Sequence, residues 1–328
     1  MTLDLAVLLD SLKDSDAMRS KQAIQRPALA FAATGGEDEA RYALPGDDTA
    51  ALRCGDQYLL LAIEGMLPHF VAQAPWFAGW SAVMANVSDI TAMGGRATAV
   101  VNAYWHHDPA AADHLLAGIR AACQAYGVHL AGGHTSQGPE HPTALAVAIT
   151  GWARRLLSTL HVRPGQCLAM VVDLDGRWHG DAPYWKAFEE VAPARLRAKL
   201  EIIPQLAEAG LLQAAKDISN AGLLGTLLML LEPTGCGAQL DLAKVPRPAD
   251  APLERWLRAF PSYGFLLTLA DQDLAAVSSA FAREGLHCAA IGRIDASARL
   301  TVQLDQQCAE FWNLHDLSFT GFSQAEEL

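Results

Sequence analysis

The stretch Asn86-Val87-Ser88-Asp89-Ile90-Thr91-Ala92-Met93-Gly94-Gly95 decides the fold. It closes a periodic segment that starts near Trp76, in which Trp80, Val83, Met84 and Val87 recur at helical spacing as one apolar stripe. Asn86 and Asp89 stand three residues apart and share a different face. Gly94-Gly95 then supplies a C-terminal stop. Periodicity by itself describes a core helix with a solvated polar face. A second reading, in which Asn86 and Asp89 face a ligand, is favoured by an acidic strand end upstream and a Gly-Gly-His-Thr loop downstream.

Working outward, the 328 residues suit two domains of ordinary size. Half of the residues are hydrophobic and 18% are charged, a globular rather than a disordered composition. The formal charge of −12, with no basic cluster, argues against nucleic-acid binding. Apolar runs are interrupted before they could span a bilayer, and Met1-Thr2-Leu3-Asp4 lacks the basic flank of a signal peptide. Six cysteines (Cys54, Cys123, Cys167, Cys236, Cys288 and Cys308) are scattered without paired or metal-like spacing. The expectation is a cytoplasmic protein with free thiols and no membrane partner.

Several other stretches carry chemistry-bearing residues. Pro45-Gly46-Asp47-Asp48-Thr49 is a turn with adjacent carboxylates before a short apolar strand. Two such neighbours repel unless a cation compensates them, although a solvated hairpin end is the simpler reading. Tyr58–Ile63 reads as a buried strand that ends at Glu64-Gly65. His106-His107-Asp108 follows another apolar strand and reads as an exposed loop, because neighbours on an extended chain point apart. Ala131-Gly132-Gly133-His134-Thr135-Ser136 reads as a loop whose glycines admit a close backbone approach to a ligand. Ala215-Lys216-Asp217-Ile218-Ser219-Asn220-Ala221-Gly222 reads as a strand end followed by a helix start, with Ser219 or Asn220 as the cap. Residues 33–39 form a turn-rich acidic stretch expected to be a mobile loop.

Taken together, these strings resemble the AIR synthase (PurM-like) superfamily, which includes aminoimidazole ribonucleotide synthetase, thiamine-monophosphate kinase, selenophosphate synthetase and HypE. The Asn86–Gly95 string is similar to its N-x-S-D-x-x-A-M-G-G segment, Gly46–Ala50 to its G-D-D-x-A loop, and Asp217–Leu223 to its D-I-S-D-G-L string. The resemblance implies a mixed α+β (α/β) fold of two domains, cut here as 1–155 and 156–328. The first would be an ATP- and Mg²⁺-binding domain whose mixed sheet dimerises into a β-barrel. The second would be a ferredoxin-like α+β substrate domain.

The same resemblance implies metal ligands at Asp47, Asp48, Glu64, Asp89 and Asp217. It implies nucleotide contacts at Gly46, Asp47, Asp48, Thr49, Asn86, Gly132, Gly133, His134, Thr135 and Asp217, with Asp47, Asp89 and His134 closest to the chemistry. Lys21 is a candidate phosphate contact. Arg177 and His179 are candidate substrate contacts, because Asp173–Asp181 replaces a glycine-rich substrate segment of the relatives. The implied activity is ATP-dependent phosphoryl transfer to an oxygen of a small-molecule substrate, in a homodimer. Within that class, thiamine-monophosphate kinase-like and selenophosphate synthetase-like activities stand beside each other. His134, Gln166 and Asn220 stand where kinase-like relatives carry acids, which motivates the alternative of a noncatalytic ATP-binding partner or regulator.

Overall fold

In the computed structural model, residues 4–32, 46–139 and 143–322 are described. The acidic stretch 33–39 lies outside them. Three helices come first: α1 (Leu5–Lys13), α2 (Asp16–Gln22) and α3 (Gln25–Ala32). Asp4 caps α1 by accepting the N–H groups of Ala6 and Val7, and Leu5, Leu8, Leu9 and Leu12 form its buried stripe. Lys21 falls in the last turn of α2. Contacts divide the chain into two compact units, one of Met1–Asp47, Leu157–Glu189 and Leu206–Leu328, the other of Asp48–Leu156 and Glu190–Gln205. The cut proposed at 155/156 runs beside the crossing at Leu156, whereas residues 1–47 and 190–205 each group with the other part.

The Asp48–Leu156 unit holds β1 (Ala50–Cys54), β2 (Gln57–Met66), α4 (Pro68–Gln73), α5 (Pro75–Ala92), β3 (Gly95–His106), α6 (Pro109–Tyr126), β4 (His129–Gln137) and β5 (Ala144–Ala153). Its sheet runs β1-β2-β5-β3-β4, antiparallel except for the parallel β3–β4 pair. Leu60, Ala62, Val100, Leu145, Val147 and Ile149 are buried on the side that α5 covers. The opposite face leaves Leu61, Ile63, Val101 and Trp152 exposed, Ile63 by 68%. Helices α5 and α6 approach closely because Gly79 and Gly118 have no side chain; a Cβ on either would collide with backbone of the other helix.

Two expectations change here. The Gly-Gly-His-Thr segment is not a loop but part of the edge strand β4, paired with β3. Nearly every residue of β4 is exposed, so no alternation of apolar residues announces it in the sequence. His106 is not in an exposed loop either: it ends β3, is 6% exposed and stacks on Tyr104.

The other unit contains β6 (Cys167–Val172), β7 (Arg177–Trp178), β8 (Tyr184–Lys186), then α7 (Pro193–Glu208), whose start groups with the sheet of β1–β5. It continues with β9 (Ala214–Asp217), α8 (Gly222–Leu231), β10 (Gly237–Asp241), α9 (Leu253–Leu257), β11 (Phe260–Pro261), β12 (Gly264–Leu269), α10 (Leu274–Ala282), β13 (His287–Asp295), β14 (Arg299–Leu304) and β15 (Gln307–Asn313). A seven-stranded mixed sheet runs β15-β14-β10-β13-β6-β12-β9, and β11-β8-β7 form a small second sheet. Helix α8 is buried along its whole length, and α1 joins the same core. The cap of α8 is neither Ser219 nor Asn220 but Ala221, held at φ +90° without a side-chain hydrogen bond. The fold is mixed α+β, as expected, and the described strands close no barrel within one chain. All six cysteines are free.

Glu232 anchors the end of the described chain. Its buried carboxylate accepts the backbone N–H groups of Phe319, Thr320 and Gly321 and the Thr320 hydroxyl. Removing it would leave several buried donors unsatisfied. Glu232→Ala is expected to lower stability by about 3 kcal/mol, read as a shift of the urea midpoint at unchanged slope.

Candidate functional site

Helix α5 carries the site. From Phe77 to Ala92 all but Ser81 are buried, so the polar residues of the helix are packed rather than solvated. The solvated-face reading of Asn86 and Asp89 therefore fails: they are 0% and 6% exposed. Asn86 donates from Nδ2 to the carbonyls of Ala82 (2.7 Å) and Val147 (2.9 Å), which ties α5 to the central strand β5. Its Oδ1 is buried and has no partner among the described residues. Gly94, at φ +79°, ends the helix as the sequence indicates.

One turn beyond Asn86, the carboxylate of Asp89 comes within 4.8 Å of a carboxylate oxygen of Asp48. Asp48 is half-buried at the entrance to β1. Two carboxylates this close and partly buried repel each other unless a cation or proton intervenes. Thr49, next to Asp48 in the chain, is 2% exposed, and its Oγ1 has no partner among the described residues. Oxygen ligands with spare lone pairs are what a hard cation such as Mg²⁺ takes.

Other expected ligands differ. Asp47 is engaged elsewhere: Ser158 Oγ donates to its Oδ2, and Thr159 N–H (3.2 Å) and Oγ1 (2.9 Å) donate to Oδ1. Two donors meet Oδ1 and one meets Oδ2, so the Asp47 carboxylate takes part in holding its own turn. Glu64 lies on the α5-covered side of β2, opposite Val147, but forms no three-residue ligand group with Asp48 and Asp89. His134 is exposed on β4, where Nε2 lies 3.2 Å from Ser136 Oγ, and it too joins no such group among the described residues. Gly133 pairs with Asn102 so closely that a Cβ would meet its backbone oxygen, and Gly132 sits at φ +155°. Thr135 is exposed beside them.

Asp217, in the other unit, ends β9 opposite Phe265 and is 5% exposed. In that unit Glu189 bridges Arg177 and Lys186, the latter at 2.6 Å. The expected substrate contact Arg177 is thus already paired. His179 is half-buried just after β7, its N–H donated to Tyr184 O. Gln166, which stands where relatives carry an acid, is used within its turn: it accepts the N–H of Arg163 and donates to His161 O. Sequence reasoning missed Ser158 and Thr159, because nothing in the string Leu157-Ser158-Thr159-Leu160 marks them as partners of a residue 111 positions away.

Residues 46–153 match the family described as AIR synthase related protein, N-terminal domain, and residues 167–305 match its C-terminal domain. The chain is 42% identical over 279 residues to an uncharacterized protein of Synechocystis, covering 85% of this chain and 86% of that one. It is 29% identical over 216 residues to a selenide, water dikinase of Colwellia psychrerythraea, covering 61% and 60%. In fold it resembles the Thermotoga maritima PurL complexed with ATP, at TM-score 0.71 and 17% identity, over 98% of this chain and 56% of that chain.

Burial, reinforced by Lys186 and opposed by Glu189, holds the His179 pKa below its ordinary 6.5. The folded state therefore binds this proton less readily than the unfolded chain. The stability contributed is present above pH 6.5 and is lost as pH falls through the lowered value. Wild type should lose stability to urea between about pH 7 and about pH 5 more steeply than His179→Gln, whose curve loses this component.

Proposed function

The chain belongs to the AIR synthase related protein family, and on that premise we propose an ATP- and Mg²⁺-dependent enzyme that transfers a phosphoryl group to an oxygen of a small-molecule substrate. One observation carries the reading: Asp48 and Asp89 hold carboxylate oxygens within 4.8 Å of each other. That donor set suits Mg²⁺. When bound, the ion neutralises charge on transferring phosphate oxygens.

Phosphoryl transfer asks little covalent chemistry of a protein; it asks for positioning and charge compensation. In this reading Asp48 and Asp89 hold the ion and Thr49 contacts the nucleotide. Glu64 and Asp217 are retained as candidate metal ligands on the strength of their sequence strings. Gly46, Asn86 and the exposed Gly132-Gly133-His134-Thr135 backbone serve the nucleotide. His179 contacts the substrate, and Arg177 does so once it exchanges Glu189 for an anionic group. The ATP bound by the PurL structure and the dikinase name of the Colwellia relative support a nucleotide substrate.

The functional form in this reading is a homodimer. Its support is the exposed apolar face of β2, β3 and β5, with Leu61, Ile63, Val101 and Trp152, which a second copy of the same face would cover. Ile63→Lys should sediment as a monomer at concentrations where wild type is a dimer. A monomeric wild type would remove this part of the reading.

The rival reading, an ATP binder without turnover, rests on His134 replacing an acid on an exposed strand. Calorimetric titration of ATP with and without Mg²⁺ tests the shared premise. Asp89→Asn, nearly isosteric, should keep the fold and weaken Mg²⁺-dependent ATP binding by at least about 100-fold, beyond the effect usual for groups that merely support a ligand. Unchanged binding in a folded Asp89→Asn protein would reject the site. ADP release by wild type with a candidate substrate separates the enzyme from the binder.

A further inference from the structure

We propose that Asp47 is a positioning residue, whose carboxylate sets the backbone from which Asp48 reaches the metal; this rests on the metal-site reading above. Three donors converge on Asp47: Ser158 Oγ on one oxygen, Thr159 N–H and Thr159 Oγ1 on the other. The donors themselves are locked. Ser158 and Thr159 are 0% and 1% exposed, and Ser158 Oγ also accepts the N–H of Leu160 at the start of a short 3₁₀ turn, Thr159–His161. That turn lies against β9, where Leu157 O accepts the N–H of Ala215.

A second restraint acts on the other side of Asp47. Gly46 sits at φ +101°, and a Cβ there would collide with the ring of Phe322. Phe322 follows the segment that Glu232 anchors. Gly46 is therefore constrained both in backbone conformation and by a packed ring. The turn is held by its first carboxylate and its glycine, which leaves the second carboxylate to bind. This division explains how two adjacent carboxylates coexist: three donors compensate Asp47, and only Asp48 needs a cation.

The test uses the full-length protein, titrated with Mg²⁺ in the presence of the non-hydrolysable ATP analogue AMPPCP. Ser158→Ala and Thr159→Val each remove a donor to Asp47. Both should weaken Mg²⁺ affinity by about 10-fold or more at unchanged stoichiometry, as groups that orient ligands do, and Thr159→Ser should restore it. Asp48→Asn should abolish binding. Circular dichroism and a titration temperature well below each variant's unfolding midpoint separate affinity from folding. Wild-type affinity in folded Ser158→Ala and Thr159→Val, with binding abolished in Asp47→Asn, would overturn the proposal and make Asp47 a ligand. Absence of Mg²⁺ binding by wild type would instead sink the metal-site reading itself.

Discussion

A single buried amide sets the geometry of the β1–β5 unit. Asn86 sits on a helix that is apolar almost all round, and its Nδ2 reaches the Val147 carbonyl on β5 while also bonding the Ala82 carbonyl one turn back. Apolar packing by itself would let α5 slide or rotate on the sheet at small cost, because dispersion contacts are not directional. A hydrogen bond that is costly to break in a dry interior removes that freedom. The register of α5 decides where Asp89 lies, one turn further along.

The close approach of α5 and α6 serves the same end. Gly79 and Gly118 let the two backbones approach closely, so α5 is held by a neighbouring helix as well as by the sheet. Asp89, itself 6% exposed, lies within 4.8 Å of the half-buried Asp48, where solvent screens their repulsion only in part. Such an arrangement is unfavourable in isolation and is typical of sites organised around a bound cation.

In the other unit, carboxylates do different work. Glu232 accepts four donors and Asp47 three, and both hold chain segments in place. Glu189 balances Arg177 and Lys186. Residue type alone does not separate these from a ligand. What separates them is the number of donors already aimed at the oxygens, and that number comes from residues far away in the chain.

Much of the architecture was legible in the sequence. The period of α5, its Gly94 stop, the apolar strands β2, β3, β5 and β6 and the strand-to-helix step at Asp217–Gly222 all follow from local spacing, because period and turn chemistry are local properties. Asp48 and Asp89 could be singled out as candidates from strings whose order along the chain is distinctive. Tertiary structure alone decided that Asn86 faces a strand instead of solvent, that Asp47 accepts from Ser158 and Thr159, and that Gly132–Thr135 form an edge strand. It also decided that His106 is buried and that Ala221 takes the cap. Each of these depends on partners distant in sequence, and a carboxylate's role is set by which donors or cation meet it in space, a relation that no local pattern encodes.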